Sequence, residues 1–470
     1  MKTSFNFSKL MLTVFVFIIL IPSLLHAQWS STMKLSQHSM NATLNENAGS
    51  CLVVSGDTIH VVWSDHRTNG YAIYYERSAD NGLTWNTAMA ITDTTGKASM
   101  PAIAVSGSSV HVVWMDSIGG IRVSYYKRSL DGGNTWGTNV LLDNNTAFWP
   151  GIAAYGSHLY ATLNKEVATG NTEVFVVRSF DNGNTWQPEQ QISNAPGRSE
   201  DPAIAVQKAN VYLSWNDNRS GVMEIYYIHT ADNGTTWGPE TPLTYSNSYS
   251  SMVCLNGTNV DIPYGNSGAG NFDIFFREST DGGMTFDSSK QLTYDLLGEA
   301  YPYLVRDSLE MHMVYMQFST PLGGYYLHSA DGGNTWDSAL FIGNGNQPFI
   351  AYSGCVLHVI WPDSGAIYYK RNPTGNCGNP AGVANNINNG SQGFSLIVYP
   401  NPAVSSFTVS LKNQTFDMEI TDETGLNIYN ATNIAEKTEI NCENLAKGIY
   451  FIRAISDKGT VYSRKMIILK

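Results

Sequence analysis

The side chains best suited to chemistry in this chain are few. Tyr301 could act as a nucleophile assisted by Glu299, with Asp65 or Asp116 as proton donor, a set able to cleave a glycosidic bond. Arg67, Arg198 and Arg219 could grip a carboxylate, and Trp149 and Tyr245 offer flat faces to a sugar or peptide. Against this stands a repetition. Trp63-Ser64-Asp65-His66-Arg67 returns as Trp215-Asn216-Asp217-Asn218-Arg219, and in part as Trp114/Asp116 and Trp361/Asp363. A feature shared by several repeats is more simply a packing device than a unique catalytic group. No other chemistry stands out. The ten histidines include no H-E-x-x-H or metal-spaced cluster, no G-x-S-x-G elbow occurs, and no metal or cofactor is expected. His60, His111 and His358 share one strand position, which points to packing.

The elements that must position these residues are announced by a turn. Ser78-Ala79-Asp80-Asn81-Gly82-Leu83-Thr84-Trp85 is followed by five near-copies, with aspartates Asp80, Asp131, Asp181, Asp232, Asp281 and Asp331 spaced 51, 50, 51, 49 and 50 apart. A fixed period of this size marks a repeat architecture. Each repeat reads as four strands. In the first these are expected at residues 50–54, 58–64 and 72–77, with the Asp turn leading into a fourth at 85–92. Alternating Val, Ile, Tyr and Trp support strands throughout. Four-stranded units repeated radially make a β-propeller.

The ends of the array complete each other. Every fourth strand opens with an aromatic and has an aliphatic six residues on, as in Trp85/Ile91 and Trp136/Leu142. Trp29 and Leu35 repeat this with no strands before them, while residues 349–371 supply three strands with no fourth after them. The expected fold is therefore all-β, a seven-bladed propeller closed by strands from both ends, with six blades as the alternative, followed by a small antiparallel sandwich. In such a ring the candidates sit on one face. Loops between second and third strands carry Asp65, His66, Arg67, Asp116, Lys165, Glu166, Asp217, Arg219 and Asp363. Loops between consecutive blades carry Trp149, Arg198, Glu200, Asp201, Tyr245, Tyr249, Tyr294, Glu299 and Tyr301.

These turns resemble the Asp box, S-x-D-x-G-x-T-W, of sialidase-like propellers, over roughly residues 28–373. In physical terms the Asp accepts turn N–H groups, Gly takes a positive φ, and Trp buries a large face, all tasks of folding. The spacing lacks the D-x-D-x-D-G-x₅-E pattern of a calcium loop. The family's catalytic members carry an Arg-Ile-Pro-like tripeptide at the start of a first strand. Here Pro101, Pro150, Pro202, Pro302 and Pro348 keep the proline, but Ser99, Phe148, Glu200, Ala300 and Asn346 stand where the arginine would be. Seven blades also differ from the six of catalytic sialidases. The resemblance therefore implies a glycan- or protein-binding propeller without catalysis, with sialidase or other glycoside hydrolysis as the alternative.

Flanking segments complete the organisation. Residues 1–27, with Lys2 and Lys9 before an apolar run at 10–25, read as a secretory signal peptide. Without those two lysines the formal charge of −12 becomes about −14, and no Lys/Arg block exists, which argues against a nucleic-acid partner. No later run is long enough to span a bilayer as a helix. Residues 374–392 form a Gly/Asn-rich linker. The segment 393–470 contains Val398-Tyr399-Pro400-Asn401-Pro402, Leu445-Ala446-Lys447-Gly448-Ile449-Tyr450-Phe451-Ile452-Arg453 and Lys465-Met466-Ile467-Ile468-Leu469-Lys470. It resembles the C-terminal sorting domain of the type IX (Por) secretion system. That implies passage through the periplasm of a Gram-negative bacterium, engagement of the type IX machinery, and release or display at the cell surface. Among five cysteines, Cys355 and Cys377 are placed to pair in the oxidising periplasm, while Cys51 and Cys254 are expected as buried thiols.

Overall fold

The computed structural model describes residues 29–373, except 38, 40, 68–69, 144–146, 269 and 295, and residues 396–468, except 400–404, 423–426 and 457–460. The chain divides into two compact units, Met1–Cys377 and Gly378–Lys470. The signal-peptide and linker assignments lie outside the described residues.

The first unit is all-β and folds as a propeller. Its described residues form seven antiparallel sheets. The first consists of Leu52–Ser55, Thr58–His66, Tyr71–Ser78 and Met89–Ala90, in that order across the sheet. The first strands of successive sheets contact one another in sequence, and Phe349–Ser353 of the last meets Leu52–Ser55 of the first, so the series closes into a ring. The closing sheet takes Phe349–Ser353, Val356–Asp363 and Ala366–Asn372 from one end, and Met33–Lys34 from the other. Met33 pairs with Tyr369 and Lys34 with Tyr368, as the Trp29/Leu35 pattern led us to expect. Fourth strands are shorter than their sequence pattern. In the first sheet the ladder resumes only at Met89, because Trp85 turns aside to pack edge-on against Tyr369 of the closing sheet at 4.9 Å, and Asn86 Oδ1 accepts the Arg77 N–H.

Each Asp turn is a staple within and between sheets. Asp131 Oδ1 accepts the Ser129 hydroxyl at 2.7 Å and the Thr135 N–H at 2.8 Å, and Oδ2 accepts the Thr135 hydroxyl. These bonds hold the carboxyl down at about 2. The second glycine of the turn, Gly133, has φ 86°, and a Cβ there would lie 1.9 Å from Tyr75 Oη of the preceding sheet. Tyr75 is anchored by His60 Nδ1 at 2.7 Å and meets Trp136 edge-on at 5.0 Å. Arg77 then reaches the Gly132 carbonyl at 2.5 Å. The same parts recur where the ring closes. His358 holds Tyr369, Tyr369 packs against Gly82 and Trp85, and Arg371 donates to the Asn81 carbonyl at 2.8 Å.

The second unit is a five-stranded antiparallel sheet. Its long strand Ser406–Asp422 breaks register between Ser410 and Thr415, pairing with Asn427–Asn441 along its length and with Gly448–Ser456 beyond the break. Phe407, Val409, Phe416, Ile420, Ile452, Met466 and Ile468 bury a common core.

Candidate functional site

The repeat makes its least regular feature where each first strand begins. Met100, Trp149, Asp201, Ser250 and Tyr301 occupy equivalent positions and all have φ between 52° and 56°. At four of them the ladder skips, between Ser99/Ala102, Phe148/Gly151, Glu200/Ala203 and Ala300/Tyr303. Proline follows each of these four, and lacking an N–H it tolerates the gap. A left-handed non-glycine residue costs about 1 kcal/mol or more, and such residues gather at functional sites. The strain is held in place by neighbours. Asn164 Oδ1 accepts the Asp201 N–H at 3.1 Å, and Asn216 Oδ1 accepts the Ser250 N–H at 3.2 Å. The backbone device is repeated while the side chains differ at every position.

Three of these residues meet in one cavity. Asp201, Ser250 and Tyr301 line it with Glu46, Asn47 and Gln347. Its wall shares Ala48, Met252 and Tyr303 with a larger central cavity of about 350 Å³, enclosed by the ring of first strands. Glu46 and Asn47 come from the segment entering the first sheet, which Asn45 ties to the Pro101 carbonyl at 3.1 Å and Gln347 ties at the Asn47 carbonyl.

Asp201 is the distinctive group. Asn216 donates to its Oδ2 at 2.9 Å, while Oδ1 is buried with no hydrogen-bond partner among the described residues. Burial pushes the carboxyl up to about 7, the Glu200 charge adds to this, and Arg198 and the Asn216 bond oppose it. Burial also raises the Tyr301 phenol, with the Asp201 and Glu46 charges adding. A proton donor at neutral pH and a phenol therefore share one pocket.

The other sequence candidates lie elsewhere. Asp65 is fully buried, accepting Arg67 Nε at 2.6 Å, Ser39 Oγ at 2.9 Å and Trp63 Nε1 at 3.4 Å. Arg67 lies over the Tyr74 ring at 3.9 Å. Asp217, Trp215, Arg219 and Tyr226 reproduce this arrangement, with Arg219 over Tyr226 at 4.2 Å and a further bond to Glu240 at 2.5 Å. Arg198 pairs with Glu200. Each of the three guanidiniums thus pairs with a carboxylate of its own sheet, although Arg67 Nη2 is buried with no hydrogen-bond partner among the described residues. Glu299 is buried and accepts the Thr293 hydroxyl at 3.0 Å, and Asp116 accepts the Lys97 and Ser117 N–H groups. The structure places Tyr301 beside Asp201 and Glu46, and gives Glu299, Asp65 and Asp116 separate surroundings. Trp149 stands edge-on to Phe148 at 5.0 Å, and Tyr245 is largely exposed. Ser250, Gln347 and Glu46 went unnoticed in the sequence. Ser250 could have been found by aligning the residues one position before each first-strand proline, although Ser251 replaces proline there.

Cys51, Cys254 and Cys442 are buried thiols, and Cys355 is disulfide-bonded. Cys377, its expected partner, lies outside the described residues.

Residues 397–469 match the family described as secretion system C-terminal sorting domain. No curated protein matches the chain. Among solved structures, the chain is similar to a polysaccharide lyase of family PL25, an ulvan lyase bound to -[GlcA(1-4)Rha3S]-, at 10% identity and TM-score 0.50, covering 73% of this chain and 95% of that one. It is similar to the polysaccharide lyase Uly1 at 7% identity and TM-score 0.51, covering 74% and 100%. Trypanosoma rangeli sialidase is matched at 10% identity and TM-score 0.43, covering 93% and 90%. At these identities the likeness is one of fold.

Proposed function

We propose that this type IX–exported protein presents a propeller that binds carbohydrate at the mouth of its central cavity, where Asp201, Ser250 and Tyr301 converge. The tail marks the chain for the type IX machinery and so for the cell surface or the medium. The reading divides the chain into a signal peptide at 1–27, a propeller at 28–373, a linker at 374–392 and a sorting domain at 393–470, with export through the periplasm.

The observation that carries the binding reading is the ring of left-handed residues. A strained backbone is kept at five equivalent positions, while its side chains vary through Met, Trp, Asp, Ser and Tyr. Constant scaffold with variable side chains is how a recognition surface is built. Sialic acid fits it poorly. A sialoside carboxylate needs an available arginine, and Arg67, Arg198 and Arg219 are engaged by Asp65, Glu200 and Asp217. Hydroxyl-rich sugars, which need acceptors, donors and an aromatic face, fit better.

Cleavage is the second reading, and Asp201 favours it. A carboxyl titrating near 7 can donate a proton to a leaving oxygen at neutral pH, with Tyr301 alongside. One experiment separates the two. The mature protein is applied to an array of neutral and acidic oligosaccharides, then incubated with each ligand it retains. Retention without new reducing ends or unsaturated products supports binding alone. Turnover that disappears in both Asp201→Asn and Tyr301→Phe supports cleavage, and no retention of any glycan refutes both.

A further inference from the structure

In the sixth sheet the position that four other sheets fill with arginine is a histidine, and four side chains gather there. In four other sheets the third strand places an arginine beside the Asp turn of the next sheet: Arg77, Arg128 and Arg178 donate to the carbonyls of Gly132, Asn182 and Gly234, and Arg371 to that of Asn81. In the sixth sheet the equivalent residue is His328, directly across the ladder from His312 as Arg77 is from His60. The following sheet is the closing one. Its fourth strand comes from the far end of the chain, so no Asp turn stands where an arginine would reach. The position is released from its structural task.

What replaces the arginine is organised. The His312 and His328 rings stack at 5.0 Å. Glu310, two residues before His312 and so on the same face of its strand, brings Oε2 to 2.7 Å from His328 Nε2. The other nitrogen of His328, Nδ1, is 2.9 Å from Asp337 Oδ2, and His312 Nδ1 is 2.8 Å from Tyr326 Oη. One ligand-type atom from each of Glu310, His312 and His328 lies within 4.8 Å of the others. An oxygen partner on the far nitrogen of a histidine is the arrangement that fixes ring orientation around a bound metal.

We infer that Glu310, His312 and His328 form a binding site for a divalent transition metal of zinc type, with Asp337 and Tyr326 orienting the two imidazoles. Two imidazoles and a carboxylate suit zinc, nickel or copper, and three protein ligands leave a position for water or a donor from another molecule. The 2.7 Å contact between Glu310 and His328 is what these ligands make of each other when no ion separates them. The fourth sheet supplies a comparison. His229 occupies the same position as His328 but stacks between Tyr212 and Tyr227, and burial lowers its titration. At His328 burial has the same tendency, but the bonds to Glu310 and Asp337 outweigh it and the ring titrates above its ordinary range. A plain ion triad of these groups is therefore the competing account.

The test is titration of the chelator-stripped full protein with Zn²⁺ by calorimetry, at a pH where imidazoles are neutral. One ion per chain should bind, and the thermal midpoint should rise with it. Glu310→Gln and His328→Arg should abolish this binding while unfolding as cooperatively as the parent, since arginine is the residue of four other sheets. Asp337→Asn should weaken it about tenfold to a hundredfold through ring orientation. His229→Gln should leave it unchanged. No saturable zinc binding by the parent, or binding that survives both Glu310→Gln and His328→Arg, overturns the inference and leaves the ion triad.

Discussion

The two faces of the propeller use one repeat for opposite ends. On the turn face every Asp box satisfies itself: Asp131, Asp181 and Asp281 are held at about 2 by their own serine and threonine donors, and each turn locks onto the sheet before it. On the mouth face the repeated element is a defect, a left-handed residue that sits at a ladder skip in four of five cases, and Asp201 carries a buried oxygen with no partner among the described residues. Regularity that completes its hydrogen bonds stabilises the ring. Regularity that leaves strain and unmet bonds prepares a surface for something else.

The largest effect expected from this division is at the closure. Removing residues 29–36 exposes the edge of Ala366–Asn372, deletes Leu35 from the core and removes the edge-on contact of Trp29 with Tyr326 at 5.2 Å. Cooperative unfolding should be lost and aggregation should appear in light scattering. A truncated protein that melts like the parent would show that closure does not hold the ring.

A smaller effect distinguishes two glycines of positive φ. Gly133→Ala drives a methyl into Tyr75 and should cost about 3 kcal/mol by denaturant unfolding, backbone strain and overpacking together. Gly56→Ala, where a Cβ meets nothing within 4 Å, should cost only about 1 kcal/mol of backbone strain. Equal costs would mean that the Tyr–Gly staple carries no weight.

The faces should also part company in pH. The Asp-box carboxyls titrate below their ordinary 3.8, so the stability they supply is complete above about pH 4 and is lost as pH falls toward 2. Asp201 is raised to about 7, so its contribution is complete below about pH 4 and is lost as pH rises through 7. Asp201→Asn should therefore melt several degrees above the parent at pH 8, with the gap closing at pH 5. An identical pH profile for the two proteins would refute a neutral Asp201.

Much of this was legible in the sequence because repetition multiplies a weak signal. Six aspartates at a near-constant interval define the sheets, and the orphan Trp29/Leu35 pair predicts how the ring closes. The candidate site was legible only in part. Tyr301 and Asp201 lie in the loops that line the mouth, but their partnership depends on which sheets face across the cavity, and spacing along the chain does not report that. Arg67 and Arg219 looked like ligand-binding groups until the structure showed Asp65 and Asp217 holding them. Glu310, His312, His328 and Asp337 meet only after two strands pair and a turn folds back, so no short spacing motif could announce them.

The central claim is that ligand sits at the mouth and not on the turn face. It is tested most directly by measuring, with calorimetry, the affinity of one array-identified oligosaccharide for the parent, Tyr301→Ala, Gln347→Ala and, on the turn face, Asn134→Ala. The account predicts losses of about tenfold or more, roughly 1.4 kcal/mol, for the first two variants and none for Asn134→Ala. Full affinity in both mouth variants, or a loss confined to Asn134→Ala, would contradict it.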